Sequence, residues 1–453
     1  MEPPRLPARI RVSYGFASLA GNAVSRTWGL WLIYFYVPPD DASIGPRIAD
    51  LAGLDARVVL GIALTAVRIL EAFDDPLIGF WTDRTRSRWG RRLPFIMAFT
   101  PPWMLLFFFL FLPPVSDPSN ANLLYLVLLV GPYFAFGNLS GAAQEALLPH
   151  LAKRHQDRLS VATWQLLFGV AGAVVGLSLS SLLVDWVGFA AMAGTIALIA
   201  FATRYSAAAL IWDYAKTDTQ PSTGGFWLSL RETLSNPQFI AYMPSFVLFQ
   251  VGLQMLTALL PFYVDAVLED STVFGIDASE NTGTFTFILT ATVIAGVIAA
   301  IPFVRRIASR HGKANAYRVA MLTATLWFPV LFIAGFIPGA PNLGEAVVAV
   351  FIAGMACSGI FFFPNIITAD IIDDDATRTH TRREAMFYGT QNMLEKTATA
   401  FSPLIFALVL LAGDTSDNPL GIRLVGPVAG LLVLGAYLSF RRYTLDPEGA
   451  GRT

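Results

Sequence analysis

The sequence contains about twelve runs of roughly twenty mostly apolar residues, the length that a helix needs to cross the hydrocarbon core of a bilayer. They lie at 12–37, 57–82, 93–113, 121–148, 159–184, 187–212, 238–266, 282–304, 315–338, 345–371, 384–412 and 420–440. Only 14% of the residues are charged, against about 25% in soluble domains. These runs predict an all-α membrane protein with twelve transmembrane helices.

The distribution of Lys and Arg predicts the orientation of these helices. Basic residues crowd the N-terminal segment and the loops after even-numbered spans, whereas the odd loops hold little beyond Arg47 and Arg57. Because cytoplasmic loops carry the excess of Lys and Arg, we expect both termini in the cytoplasm. The N-terminal segment has no apolar stretch before a cleavage site, so we expect no cleaved signal peptide. The expected location is the cell membrane, as a multi-pass protein, which in a bacterium is the inner membrane.

A polar stretch between the sixth and seventh spans divides the chain. It predicts an N-terminal six-helix bundle at 1–212, a cytoplasmic linker at 213–237 and a C-terminal six-helix bundle at 238–453. Around Phe226–Leu234 the linker fits either a short helix on the membrane surface or a flexible connection. The loops GFWTDRTRSRWGRR and PFVRRIASRHGK, after spans two and eight, are both short and basic. Such related halves are expected of the major facilitator fold.

Several classes of function lack support in the sequence. The net charge of −1 gives no basis for nucleic-acid binding. There is no G-x-S-x-G, Walker A or H-E-x-x-H motif, so we expect neither an enzyme nor an ATP-driven pump, and no cofactor. A polytopic membrane enzyme is a distant alternative. The prediction is a monomeric secondary transporter in the lipid bilayer, with a small-molecule substrate and a coupling cation as its partners.

The second predicted span carries an unusual group of charges: Arg68, Glu71, Asp74 and Asp75. An ionised residue at mid-membrane costs about 2.5–3.5 kcal/mol on insertion scales, so it usually lines a cavity and has a partner. Three carboxylates within about one turn cannot all ionise there without a cation, and oxygen ligands suit hard cations. Glu71, Asp74 and Asp75 are therefore candidate ligands of Na⁺ or carriers of H⁺. The alternative is a fixed salt-bridge network with Arg68 and Lys396.

Other charges in the spans leave two interpretations each. Lys396 either competes with the cation for the carboxylates, which would couple binding to conformation, or is a static counter-charge. Glu145 either lines a cavity or lies at the membrane interface. The acids at 373–375 form either a cytoplasmic gate with the following arginines or a solvated charged loop. The single cysteine, Cys357, lies in an apolar run and is expected to be a small buried hydrophobe.

Several motifs together resemble the glycoside–pentoside–hexuronide:cation symporter family. They are VSYGF at 12–16, RILEAFDDP at 68–76, TRSRWG at 85–90 and ADIID at 369–373, followed by Gln391 and Lys396. The resemblance implies cation-coupled symport of a sugar, glycoside or sugar acid by alternating access.

The same resemblance assigns roles to particular residues. Glu71 and Asp75 match the family's cation-site acids, and Asp74 lies beside the cation. Lys396, with Arg68, would couple cation to substrate. The implied cytoplasmic gate comprises residues of the basic loop and the tenth span: Asp83, Arg84, Asp370 and Asp373.

The chain departs from the family pattern at the substrate site. Gly141 stands where a carboxylate serves both sugar and cation in melibiose-type members. The candidate substrate contacts are the residues at the other family positions: Asn22, Glu145, Gln165 and Phe361. Because related animal symporters carry lysolipids with the same acids and lysine, a lysolipid or another amphipathic solute is the alternative substrate.

Overall fold

The computed structural model describes residues 5–71, 92–145, 147–152, 154–214, 231, 233–273, 275–333, 342–379 and 384–445. The chain forms two compact units. The first comprises Met1–Pro38, Ile44–Val59 and Ala66–Ser222, and the second comprises Pro39–Ser43, Leu60–Thr65 and Thr223–Thr453.

The described part of the first unit is built from helices joined by loops, with one isolated antiparallel bridge between Leu51 and Leu54. Its helices are α1 (Ala8–Tyr36), α2 (Ala56–Glu71, of which Leu60–Thr65 group with the second unit), α3 (Leu93–Leu110), α4 (Asn120–Glu145), α5 (Leu148–Leu151), α6 (His155–Val174) and α7 (Ser180–Ile211). A π-helical stretch, Val175–Leu179, joins α6 to α7. Gly188 interrupts α7 with a φ of 78°, a left-handed conformation that glycine adopts without steric cost. This break separates the fifth and sixth predicted spans.

The second unit contains the remaining helices. They are α8 (Pro237–Val267), α9 (Thr282–His311), α10 (Lys313–Trp327), α11 (Val330–Ile333), α12 (Asn342–Phe362), α13 (Pro364–Thr379), α14 (Glu384–Thr399), α15 (Ser402–Leu410) and α16 (Leu420–Phe440). An antiparallel hairpin of β1 (Thr272–Val273) and β2 (Ile276–Asp277) lies between α8 and α9. Within the described residues, this short hairpin and the isolated bridge between Leu51 and Leu54 depart from the all-α prediction.

Nine helical stretches in the described ranges are long and apolar enough to cross a membrane. The second predicted span is described only up to Glu71, and the linker helix expected around 226–234 lies mostly outside the described residues. Helix α9, which corresponds to the eighth predicted span at 282–304, continues to His311. Helical hydrogen bonding does not stop where the apolar run ends.

Glycines allow α1 and α6 to approach closely in the first unit. A Cβ added at Gly172 or Gly176 would collide with main-chain atoms of α1, including the carbonyl oxygen of Ala23. Thr27 donates from Oγ1 to the carbonyl oxygens of Ala23 and Gly176, at 2.9 and 3.1 Å. This arrangement is typical of small residues at membrane helix interfaces, where backbone contact replaces side-chain burial.

Aromatic side chains fill the core of the second unit. Tyr242, Phe249, Tyr317 and Phe328 are fully buried there, and Cys357 is buried among them. The prediction that this cysteine is a small buried hydrophobe is confirmed. The core holds α8, α10 and α12 together and thereby positions the polar residues of α8 described below.

Candidate functional site

The last turn of α2 carries a buried ion pair within the first unit. Arg68 Nε lies 3.9 Å from Glu71 Oε2, and the two residues are one helical turn apart. Arg68 is 9% exposed and Glu71 is 8% exposed. Two residues predicted for coupling and cation binding therefore lie side by side, shielded from bulk solvent.

Helices α1 and α4 complete the surroundings of this pair. Asn138 of α4 donates from Nδ2 to Glu71 Oε1 over 3.1 Å. The guanidinium of Arg68 lies 5.4 Å from the ring centres of Trp28 and Phe134, within the range of a cation–π interaction. Sequence reasoning missed Asn138; the available signal was an amide near the middle of a mostly apolar span.

The other two predicted cation-site acids, Asp74 and Asp75, lie outside the described residues. The predicted gate residues Asp83 and Arg84 also lie outside them. Among the described residues there is no group of three or more His, Cys, Asp or Glu side chains that could hold a metal ion. The three-acid cation site stays a prediction, with Glu71 as its described member.

Two predicted substrate contacts lie on the neighbouring helices α1 and α6. Asn22 is half-buried and donates from Nδ2 to Ser18 O within α1, at 3.0 Å. Its amide also lies beside Gly169 of α6. Gln165, half-buried, precedes Gly169 by one turn on the same helix.

The other two predicted contacts lie elsewhere. Glu145 is the exposed last residue of α4, close enough to the buried Arg204 of α7 to interact with it electrostatically. Phe361 is 46% exposed and belongs to the second unit. The first unit therefore groups Asn22 with the helix that carries Gln165, whereas Glu145 lies at a helix end.

The second unit has its own polar group around α14. Gln250 of α8 donates from Nε2 to Oε1 of Glu395 over 2.7 Å. Thr368 of α13 donates to Gln391 Oε1 over 2.6 Å. Lys396, half-buried, follows Glu395 directly. Neither Gln250 nor Thr368 was predicted, because nothing in the sequence shows which helix faces α14.

Asp370, a predicted gate residue, forms an ion pair with Lys313. From the sequence, this lysine was counted among the basic residues of a loop. Lys313 Nζ lies 2.9 Å from Asp370 Oδ1 and 2.8 Å from Oδ2. The two side chains are 21% and 19% exposed. Asp373, three residues further along α13, is exposed.

The neighbouring acids of α13 meet a basic residue of the same helix. Arg378 lies 3.3 Å from Asp374 and 3.7 Å from Asp375. Asp375 also accepts a hydrogen bond of 3.1 Å from Asn236, the residue before α8. The contact with Asn236 holds α13 against the start of α8.

The profile of the family described as MFS/sugar transport protein matches residues 13–425 of the chain. The chain belongs to the glycoside–pentoside–hexuronide:cation symporter family. Membership makes it a multi-pass membrane transporter of the major facilitator superfamily and not an enzyme, located in bacteria in the inner membrane.

Named relatives in this symporter family align with most of the chain. The isoprimeverose transporter of Lactiplantibacillus pentosus is 21% identical over 91% of this chain and 82% of its own length. A glucuronide carrier protein homolog of Escherichia coli K12 is 23% identical over 92% and 88%. An uncharacterised symporter of Synechocystis is 28% identical, but the match covers 37% of this chain and 30% of the relative.

Solved structures show the same fold at low identity. The nucleoside transporter NupG matches with a TM-score of 0.65 and 14% identity, over 96% of this chain and all of that one. The peptide transporter POT matches with a TM-score of 0.63 and 14% identity, over 96% and 95%. The chain therefore has the major facilitator fold expected of the symporter family.

Proposed function

We propose that the protein is a cation-coupled symporter of a sugar, glycoside or sugar acid, working by alternating access with Na⁺ or H⁺ as the coupling ion. Relatives named for isoprimeverose and for a glucuronide support a sugar-like substrate. The proposed topology has twelve transmembrane helices and two cytoplasmic termini. The nine candidate spans of the described residues become ten when the stretch 156–211 is divided at Gly188. Adding α1 and α2 gives twelve.

The buried pair of Arg68 and Glu71 carries the proposal. Placing either charge in the membrane costs about 2.5–3.5 kcal/mol. Their attraction at the observed separation of 3.9 Å is worth about 4 kcal/mol at an effective dielectric constant near 20. The gain offsets the cost of one charge but not of both, so this attraction alone does not stabilise the fold. Ionisable residues placed within a span at such a cost point to a functional role.

Within this proposal the remaining candidates have distinct roles. Glu71 binds the cation together with Asp74 and Asp75, and the positive charges of Arg68 and Lys396 compete with that cation. This competition links ion binding to the change between the inward-open and outward-open states. The proposed substrate contacts are the polar and aromatic residues at the family's sugar positions: Asn22, Glu145, Gln165 and Phe361. The proposed halves are 1–212 and 238–453, joined by 213–237.

Uptake into proteoliposomes tests this function. Radiolabelled pentosides, hexosides and hexuronides are offered under an imposed Na⁺ gradient, an imposed pH gradient or neither. We expect one gradient to drive accumulation in the wild type and Glu71→Gln to abolish it, because the amide keeps the volume but not the charge. The matched control is Glu280→Gln, on an exposed residue after the β-hairpin.

The same assay contains the contrary outcomes. Accumulation by Glu71→Gln at the wild-type level contradicts the coupling role. Gradient-driven uptake of lysophosphatidylcholine, with no uptake of any sugar, replaces the proposed substrate class with an amphipathic one.

A further inference from the structure

A polar stripe runs along one face of α14. It consists of Asn392, Glu395 and Lys396, spaced three and four residues apart and so neighbours on the helix surface. Asn392 is exposed, and Glu395 and Lys396 are half-buried. All three lie inside the candidate membrane span Met386–Leu410. Charged residues within a span face the bundle interior or a water-filled cavity and not the lipid, so this stripe marks a polar face of α14.

Glu395 is the member of the stripe whose orientation is fixed from a second helix. The amide of Gln250 on α8 donates to its Oε1 over 2.7 Å. Gln391, one turn earlier on α14, is 4% exposed and accepts from Thr368 of α13. Gln391 thus marks the buried edge of α14, and Lys396 lies towards its less buried side. Glu395 lies between them on the helix surface, half-buried and already oriented by Gln250.

A carboxylate held beside a carboxamide suits a ligand that is rich in hydroxyl groups. The carboxylate only accepts hydrogen bonds, and its two oxygens can take two neighbouring hydroxyl groups. Gln250 has both donors and an acceptor, so it can orient the carboxylate and also reach the ligand. A ligand carboxylate placed against the Glu395 oxygens would meet a like charge, which disfavours binding. The Lys396 side chain leaves α14 about 100° further round the helix and does not share that contact.

We propose that Glu395, oriented by Gln250, binds hydroxyl groups of the transported solute and makes the site selective for neutral sugars or glycosides over sugar acids. This inference rests on the proposed function and narrows its substrate class. Glu395 is the contact residue, and Gln250 is the positioning residue.

Two probes with the same skeleton test the selectivity. Methyl β-D-glucopyranoside and methyl β-D-glucuronide differ only at C6, which carries a hydroxymethyl group in the first and a carboxylate in the second. Each is used to inhibit uptake of whichever sugar the proteoliposome assay identifies. We expect the wild type to bind the glucoside at least about tenfold more tightly than the glucuronide, the ratio that one charge-assisted hydrogen bond provides.

The variants separate charge from position. Glu395→Gln should weaken glucoside binding about tenfold and bring the two inhibition constants close together, because the like charge is gone. Glu395→Asp and Gln250→Ala should also weaken glucoside binding but retain the exclusion of the glucuronide, because the charge remains. Glu280→Gln should change neither constant. Fluorescence-detected size-exclusion chromatography checks that each variant is folded.

The contrary results are distinct from a failure of the proposed function. The inference is overturned if the wild type prefers the glucuronide, binds neither probe, or keeps the same preference after Glu395→Gln. In each of these cases gradient-driven sugar uptake can still be present. The absence of any sugar uptake by the wild type contradicts the proposed function itself.

Discussion

Asn138 on α4 donates a hydrogen bond of 3.1 Å to the Glu71 carboxylate at the end of α2. The sequence predicted a cation-binding role for Glu71 but none for any residue of α4. This bond connects the two. Through it, α4 determines where one oxygen of Glu71 points. A helix that lacks a carboxylate of its own at Gly141 still contributes to the candidate site.

The first prediction concerns this bond. Replacing Asn138 by Leu keeps the approximate volume but removes the donor, and a hydrogen bond to a charged group is worth about 1.5–3 kcal/mol. We expect the concentration of the coupling cation for half-maximal uptake to rise about tenfold or more, measured as initial uptake against that cation. Asn120→Leu, at the exposed start of the same helix, should leave this concentration unchanged. An unchanged cation dependence in Asn138→Leu would separate α4 from the cation site.

The second prediction restores the carboxylate that α4 lacks. A Cβ at Gly141 meets nothing within 4 Å, so a side chain fits there, and Asn138 lies one turn earlier on the same helix. Because the affinity of an oxygen site for a hard cation rises with the number of charged ligands, Gly141→Asp should lower the half-saturating concentration of the coupling cation severalfold. Gly141→Asn, of the same size without the charge, should not. Equal effects of the two variants would rule out a ligand role.

The third prediction concerns the contact between α1 and α6. Gly176→Val places two methyl groups against the Ala23 carbonyl oxygen, and overpacking of this kind costs about 1–3 kcal/mol or more. We expect a lower midpoint of thermal unfolding in detergent and less folded protein in the membrane. Gly141→Ala, where space is open, is the matched control. If Gly176→Val is as stable as the wild type, α1 and the stretch around Gly176 can move apart without loss of stability.

The fourth prediction concerns Lys313 and Asp370. Their partly buried pair joins α10 to α13, and such pairs contribute up to about 1 kcal/mol. Lys313→Met and Asp370→Asn should each lower the unfolding midpoint by about one degree, and the charge-swapped double variant should recover most of the loss. Disrupting the more exposed pair of Arg378 and Asp374 should have a smaller effect. A double variant less stable than either single variant would show that the two charges act independently.

Several helix boundaries were predictable because they coincide with the ends of apolar runs. The predicted spans 93–113 and 420–440 correspond to Leu93–Leu110 and Leu420–Phe440. Gly188 lies at the junction predicted between 159–184 and 187–212, where a glycine with a positive φ ends the helix. Each of these features is local in sequence, which is why a single chain reveals it.

Partners across helices were not predictable. Asn138 and Glu71 are 67 residues apart, and Gln250 and Glu395 are 145 apart. A periodic pattern shows which face of a helix is polar, but not which helix lies opposite. Lys313 was counted among loop charges, because the sequence does not reveal that α13 brings Asp370 to it.

The burial of Cys357 has a practical consequence for observing the transport cycle. This is the single cysteine of the chain, and it is only 3% exposed. Thiol-reactive labels should therefore react very little with the native protein. Cysteines introduced in pairs on the two units can then carry spin labels or fluorophores without first removing a native thiol. Distances between such probes, followed with and without cation and sugar, would record the alternation of states in an otherwise unaltered transporter.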